Sequence, residues 1–408
     1  MVYGSDKERS STAMRKLSEW NMRQTPLLFK RFFTTRHHSG SGDNYSLFKL
    51  IRQGLPYVYS LNGYARPPLT LFITINSKCN LHCRMCDIGL QKRDSMFYQN
   101  LVGPKAEDFP IERFKTLMDE VKWFKPYIGI TTTEPLLYPH IFEAVSYAKD
   151  QGMHLNISTN GVLVDKHVDD LIKSGLHRLS VSIDGPPHIH DKMRGVPGTY
   201  NKVMAGLERL KERKKELGSK TPHLYITSFI ADENYPYILE FIQNLPLEGI
   251  EKVNIKLMVF FTKDMVDQHN EKFGDKYYAT CSCFPDDFSS ENFKLDLLYE
   301  QTKIIKEKYA DICKLHFEPD KSKFEKYFYH PNQFMDRTRC VLPWFVAQVS
   351  SQGDLLPITR CYNLSLGNIM ETSFMEAWNG TEMRKFRRDL RWHGRFPACA
   401  RCDGVLYR

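Results

Sequence analysis

No stretch of this 408-residue sequence comes near the roughly 20 consecutive apolar residues that a membrane-crossing helix needs. A cleavable signal peptide with an apolar core is missing too. Internal repeats and low-complexity tracts are absent. Strong charge of one sign is also lacking: 57 Lys and Arg against 48 Asp and Glu leave +9. The one conspicuous basic run, "KERKKE" at 211 to 216, is interrupted by Glu212 and Glu216, as on a solvated helix face rather than a nucleic-acid patch. These absences predict a cytoplasmic protein with no membrane span and no nucleic-acid partner.

What is present describes a globular chain. Hydrophobic residues make up 42% and charged residues 26%, which supplies a real core. The length suits one large domain plus a smaller one. Residues 1 to 45 are rich in Ser and Arg but carry Asp6, Glu8, Glu19 and Asp43, so they read as a flexible or lightly docked tail rather than a transit peptide. The ten cysteines are clustered rather than spread. With no secretion signal, metal or redox roles are favoured over disulfides.

Between residues 69 and 260, six β-rich runs alternate with amphipathic helical patterns. The runs are "TLFITI" (70 to 75), "YIGIT" (127 to 131), "HLNIST" (154 to 159), "RLSVSI" (178 to 183), "LYITSFI" (224 to 230) and "VNIKLM" (253 to 258). Such alternation means parallel βα units, and six of them predict a partial (β/α)6 TIM-like barrel. In barrels and open α/β sheets alike, ligands sit at the carboxyl ends of the strands. The reading gives an N-terminal extension at 1 to 68, the barrel at 69 to 260, a helical bridge at 261 to 339 and a Cys-bearing domain at 340 to 408. The stretch "SLFKLIRQGLPYVYSLNG" (46 to 63) is expected on the barrel bottom or as a lid.

Directly after the first strand comes "KCNLHCRMCDIG", with Cys79, Cys83 and Cys86 in CxxxCxxC spacing. Four thiolates close a tetrahedral zinc site or a 4Fe-4S cube. Three leave one iron of a cube without a protein ligand, and that iron is open to chemistry. His82 lies inside the loop, where it would crowd a zinc site rather than complete it. At the other strand ends stand Thr132, Thr133, Glu134 and Pro135, then "STNG" (158 to 161), then "SVSIDGPPHIHDKMRG" (180 to 195).

The three-Cys loop with these strand-end motifs resembles the radical S-adenosylmethionine (SAM) superfamily. The resemblance implies that Cys79, Cys83 and Cys86 hold a 4Fe-4S cluster whose open iron binds SAM, and that an electron from the cluster cleaves SAM to methionine and a 5'-deoxyadenosyl radical. It implies further that Thr132, Thr133 and Glu134 receive the SAM amino group, Ser182 contacts the ribose or carboxylate, Arg194 pairs with the carboxylate, and Asn160 lines the site. Asn160-Gly161 and Asp184-Gly185 are also good turn dipeptides. Two departures stand out. Asp87 replaces the usual aromatic residue, and Thr in place of Gly in the turn after strand two requires ordinary φ angles.

The tail contributes Cys340, Cys361, Cys399 and Cys402, four ligands for a second cube or for zinc. Their context resembles the SPASM/Twitch extension of radical SAM enzymes, which implies an auxiliary 4Fe-4S cluster. Since the sequence runs only six residues past Cys402, one such cluster is expected. Tyr362 stands where sulfatase-maturing relatives carry an acid. In the bridge, Cys281 and Cys283 are candidate hydrogen-atom donors to a substrate radical, or incidental loop thiols. The expected enzyme abstracts hydrogen from a small-molecule, sugar-like or peptide substrate, with oxidation or epimerisation as the outcome, and takes electrons from an external donor such as flavodoxin or ferredoxin. The competing reading is a nonenzymatic zinc or interaction protein with both Cys sets structural.

Overall fold

The computed structural model describes residues 47–103, 107–283, 293–336, 339–357, 362 and 364–402. Cys361 therefore lies outside the described residues, as does the stretch 1 to 45. All six expected strands are present: β1 (Thr70–Ile73), β2 (Tyr127–Ile130), β3 (Leu155–Thr159), β4 (Arg178–Ser182), β5 (His223–Ile230) and β6 (Lys252–Leu257). They pair in parallel and in sequence order. Helices follow β2 to β5 and return the chain, among them Ile141–Asp150, Val168–Lys173, Thr199–Glu216 and Ile238–Asn244. One continuous apolar core fills the space between sheet and helices.

The sheet is longer than six strands. The stretch 261 to 339, read as helical, supplies helices Lys263–Phe273, Leu295–Lys308 and Lys321–Tyr329 but also β7 (Cys313–Leu315), which pairs in parallel with β6. At the opposite edge the tail supplies β8 (Val346–Val349), parallel to β1 in the register Thr70↔Val346 to Ile73↔Val349, and β9 (Leu355–Leu356), antiparallel to β8. The order is β7-β6-β5-β4-β3-β2-β1-β8-β9, and the barrel stays open. Runs as short as these become strands only because a neighbouring edge offers its unpaired backbone.

Because β1 and β8 are parallel, both chains leave the sheet at the same rim. There the hydroxyls of Ser77 and Ser351 lie 3.0 Å apart, which joins the loop after β1 to the loop after β8. The N-terminal stretch packs on the tail. Gln53 donates to the Trp344 carbonyl at 2.7 Å, and Tyr57 meets the Trp344 ring edge-on. Arg391, on helix Thr381–His393, donates to the carbonyls of Ser60 (2.9 Å) and Val58 (2.8 Å), and Trp378 donates to the carbonyl of Arg66 at 2.8 Å. Buried Arg401 donates to five backbone carbonyls, including Tyr327 (2.7 Å) and His330 (2.8 Å), and so locks the turn Pro397–Arg401 onto helix Lys321–Tyr329. A guanidinium can satisfy several carbonyls in one plane, which lysine cannot.

Candidate active site at the strand-one exit

The three-cysteine loop is held from behind by the chain around Gly195. The amides of His82 and Arg84 donate to the carbonyls of Arg194 (3.1 Å) and Met193 (3.0 Å). Gly195 sits at φ +70°, and a Cβ there would lie 2.2 Å from the His82 carbonyl oxygen. Only glycine fits so close a backbone approach in a left-handed conformation. The loop also folds tightly on itself, since a Cβ on Gly89 would lie 2.4 Å from the Cys83 nitrogen. Cys83 is buried, Cys86 half-buried and Cys79 exposed.

Arg194 is directed at this loop. Its guanidinium lies 3.8 Å from the Cys83 sulfur and forms an ion pair with the fully buried Asp184. Asp184 is fixed in turn by the Phe229 amide at 3.0 Å. Burial alone would lower the Arg194 pKa, but Asp184 and the Cys83 sulfur raise it, so the cation persists. Burial raises the Cys83 pKa, and Arg194 opposes that rise. A thiolate in this position is what an iron ligand requires. The Arg194 Nε has no partner among the described residues.

Glu134 is fully buried. Its carboxylate accepts from the Thr159 hydroxyl (2.7 Å), the Asn160 amide (2.8 Å) and the Leu136 amide (3.0 Å). Burial raises its pKa, against the pull of these donors. The carboxylate thus ties the end of β2 to the end of β3. The turn itself is pinned to the cysteine loop by Asn76, a residue with no signal in the sequence: its amide nitrogen donates to the Glu134 carbonyl (2.9 Å), and its amide oxygen accepts from the Lys78 amide (3.0 Å). Asn160 reaches Asn80, beside Cys79, at 2.7 Å. Ser182 is half-buried at the end of β4, paired in register with Thr227.

Thr132 settles the question of φ in this turn. It adopts φ +93°, whereas Thr133 stays at negative φ. A β-branched residue at positive φ is strained, and its hydroxyl is held by the Thr74 hydroxyl at 2.8 Å. The turn therefore keeps a glycine-like backbone without glycine. Thr132→Gly is expected to bind SAM as the wild type does and to unfold at a temperature no lower, because relieved strain offsets the lost hydroxyl. Thr133→Gly removes a hydroxyl that donates to the Asn76 carbonyl at 2.8 Å, at ordinary φ, and should cost about 1–2 kcal/mol in chemical denaturation.

Asp87 occupies the position of the missing aromatic ring and has a different partner. Fully buried, it accepts from the Ser282 hydroxyl (2.6 Å) and the Cys283 amide (2.7 Å). Ser282 also bridges to Phe261, just past β6. The bridge cysteines are thereby brought beside the cluster loop: Cys283 is fully buried at φ +56°, and Cys281 is exposed.

In the tail, Cys340, Cys399 and Cys402 are buried. The Cys399 thiol is pushed up to about 11, first by burial and then by Cys402. The Tyr362 hydroxyl lies 3.3 Å from the Cys399 sulfur, and the Tyr362 carbonyl accepts from Asn100 at 2.9 Å. Since Asn100 is on helix Met96–Leu101, which follows the cysteine loop, the two Cys sets are mechanically linked. Among the described residues no three His, Cys, Asp or Glu side chains converge as a single metal ion requires. A cube, in which each thiolate meets its own iron, does not need that convergence.

Comparison with known proteins agrees with this geometry. The family model for the radical SAM superfamily matches residues 73–264, and that for SPASM, an iron-sulfur cluster-binding domain, matches 340–403. The chain carries a radical SAM domain and a SPASM domain. Its cofactors are accordingly a 4Fe-4S cluster, SAM and an auxiliary iron-sulfur cluster. The AdoMet-dependent heme synthase of Oleidesulfovibrio alaskensis is 25% identical over 81% of this chain and 78% of that protein. The pre-heme d1 synthase of Dinoroseobacter shibae is 24% identical over 82% and 80%. The AdoMet-dependent heme synthase of Methanosarcina barkeri is 33% identical, but over 34% of this chain and only 38% of its own length. Streptococcus suis SuiB superposes with a TM-score of 0.56 at 16% identity, covering 89% of this chain and 80% of SuiB. The likeness to SuiB is one of fold.

Proposed function

We propose that this radical SAM protein carries out a net two-electron oxidation of a small-molecule or peptide substrate held between barrel mouth and tail. When bound, the reduced 4Fe-4S cluster supplies the electron that cleaves SAM to methionine and a 5'-deoxyadenosyl radical. Cys79, Cys83 and Cys86 would hold it. Arg194 keeps a positive charge against the Cys83 sulfur, and Asp184 fixes its orientation. In the turn after β2, Glu134 works from behind, rigidifying the backbone of Thr132 and Thr133 that would receive the SAM amino group. Ser182 and Asn160 line the opposite wall.

The radical so formed would take hydrogen from a substrate C–H bond, and a tail cluster would accept one electron from the resulting substrate radical while one proton goes to solvent. The observation that carries this reading is the parallel pairing of β8 with β1, because it brings the chain leading to the auxiliary ligands out at the rim of the SAM site. Cys340, Cys361, Cys399 and Cys402 would hold the second cluster. Epimerisation would need a thiol that meets the substrate radical. The fixing of Cys283 by Asp87 favours a positioning role for the 281–283 segment instead. The relatives' names support a tetrapyrrole-like substrate, and an external carrier such as flavodoxin or ferredoxin would supply the electrons.

Cys399→Ser combined with Cys402→Ser tests the tail. Iron in anaerobically purified protein is expected to fall from about eight to about four per chain, with 5'-deoxyadenosine formation retained and substrate oxidation lost. Oxidation that continues in the variant contradicts the reading.

A further inference from the structure

Beside the tail cysteines a buried phenol is held in place from every side. Tyr362 is buried, and its ring is enclosed by other rings. His269, on helix Lys263–Phe273, stacks on it at 5.1 Å with 18° between the planes. Phe396 meets it edge-on at 5.8 Å, and Tyr277 and Phe386 flank it at 5.7 and 6.1 Å. His269 is fixed in turn, because its Nε2 bonds the Tyr277 carbonyl. The Tyr362 backbone is anchored from the core side, where Asn100 donates to its carbonyl at 2.9 Å. The ring therefore has little freedom, and it delivers its hydroxyl 3.3 Å from the Cys399 sulfur.

A hydroxyl inside an apolar shell costs stability unless it meets a good acceptor. A neutral thiol is a weak one. A thiolate on iron is a strong acceptor and carries no proton, so in the cluster-loaded protein the phenol is the donor. Phenylalanine would fill the same space among these rings without the cost of a buried hydroxyl. Tyrosine is accounted for once Cys399 is an ionised ligand. Hydrogen bonds to the sulfurs of an iron-sulfur cluster set its reduction potential. An added electron makes the sulfurs more negative, so a donor stabilises the reduced cluster more than the oxidised one.

We propose that Tyr362 is a positioning residue of the tail cluster: its hydroxyl donates to the Cys399 sulfur and raises the potential at which that cluster takes an electron. The inference rests on the proposed function, in which the tail cluster accepts one electron from the substrate radical. The phenol proton stays on its oxygen throughout, and no bond to Tyr362 forms or breaks. The cluster alone is reduced, and an oxidised one-electron carrier removes the electron afterwards.

The test is an anaerobic redox titration of the fully loaded protein, followed by electron paramagnetic resonance. Two reduced signals are expected, one shifted by SAM and one indifferent to it, the second assigned to the tail. Tyr362→Phe keeps the ring and removes the hydroxyl. Tyr277→Phe removes a neighbouring hydroxyl that bonds Asp389 at 2.8 Å rather than a sulfur. Tyr362→Phe should weaken reduction of the tail cluster about tenfold, a fall of about 59 mV for a one-electron couple, and leave the SAM-sensitive signal where it was. Tyr277→Phe should move neither. An unmoved tail potential in Tyr362→Phe, or the same fall in both variants, overturns the proposal. Incorporation of 3-fluorotyrosine at position 362 keeps the side chain whole and makes it a stronger donor, so the tail potential should rise. If Tyr362→Phe loses its tail iron, an unchanged potential in the fluorinated protein overturns the proposal by itself. Absence of a SAM-indifferent signal in the wild type sinks the tail-cluster reading and this inference with it, whereas a normal signal unmoved by either change at position 362 sinks this inference alone.

Discussion

Cys83→Ala is expected to reduce 5'-deoxyadenosine formation to the level of the assay blank. Of the three loop cysteines, Cys83 is the buried one and the one that faces the Arg194 guanidinium. On the proposed reading its loss removes an iron ligand, and it takes from the buried Arg194 one of two anionic partners, leaving only Asp184. Iron should fall to about four per chain, the complement held by the tail. Arg194→Met makes the converse change. It strands Asp184 in a fully buried position and should destabilise the fold by about 3–5 kcal/mol, read by chemical denaturation of the anaerobic protein.

The second large effect is expected at a residue that touches no cofactor. Gly195→Ala puts a methyl group 2.2 Å from the His82 carbonyl oxygen at a backbone angle of φ +70°. Backbone atoms cannot yield by rotating a side chain, so the cysteine loop has to move. Misplacement of a catalytic assembly by about 1 Å can cost roughly a hundredfold in rate, and 5'-deoxyadenosine formation should drop by at least that factor. Gly198→Ala is the internal control. It too has positive φ, at +78°, but nothing lies within 4 Å of its added Cβ, so it should cost only local strain and leave SAM cleavage nearly intact. If both variants behave alike, the close packing against His82 is not what shapes the loop.

The strand order β1 to β6 and the meeting of the motifs at one rim were legible because each depends on local pattern: alternating β-rich runs, and cysteines spaced within one loop. The residues that fix the site were not legible. Asn76, Asn80 and Asp184 are ordinary polar residues, and they matter here through Glu134, Asn160 and Phe229, which lie 58, 80 and 45 positions away. Asp87 read as a departure from the family pattern. Its partners, Ser282 and Cys283, lie nearly two hundred residues on, and no local signal joins them. At Glu134, read from the sequence as a carboxylate offered to an ammonium, the fold adds three protein donors that no local pattern announces. Strands β7, β8 and β9 escaped notice because two to four residues carry too little periodicity, and the neighbouring sheet edge decides their conformation.

Electron paramagnetic resonance of the dithionite-reduced, oxygen-free Cys399→Ser/Cys402→Ser protein, recorded with and without SAM, bears on the central claim most directly. With Cys399 and Cys402 replaced, the signal that remains is the one the proposed function assigns to a cluster on Cys79, Cys83 and Cys86. The account predicts a reduced 4Fe-4S signal whose g-values shift when SAM is added. A signal indifferent to SAM, or no paramagnetic centre at all, would contradict it.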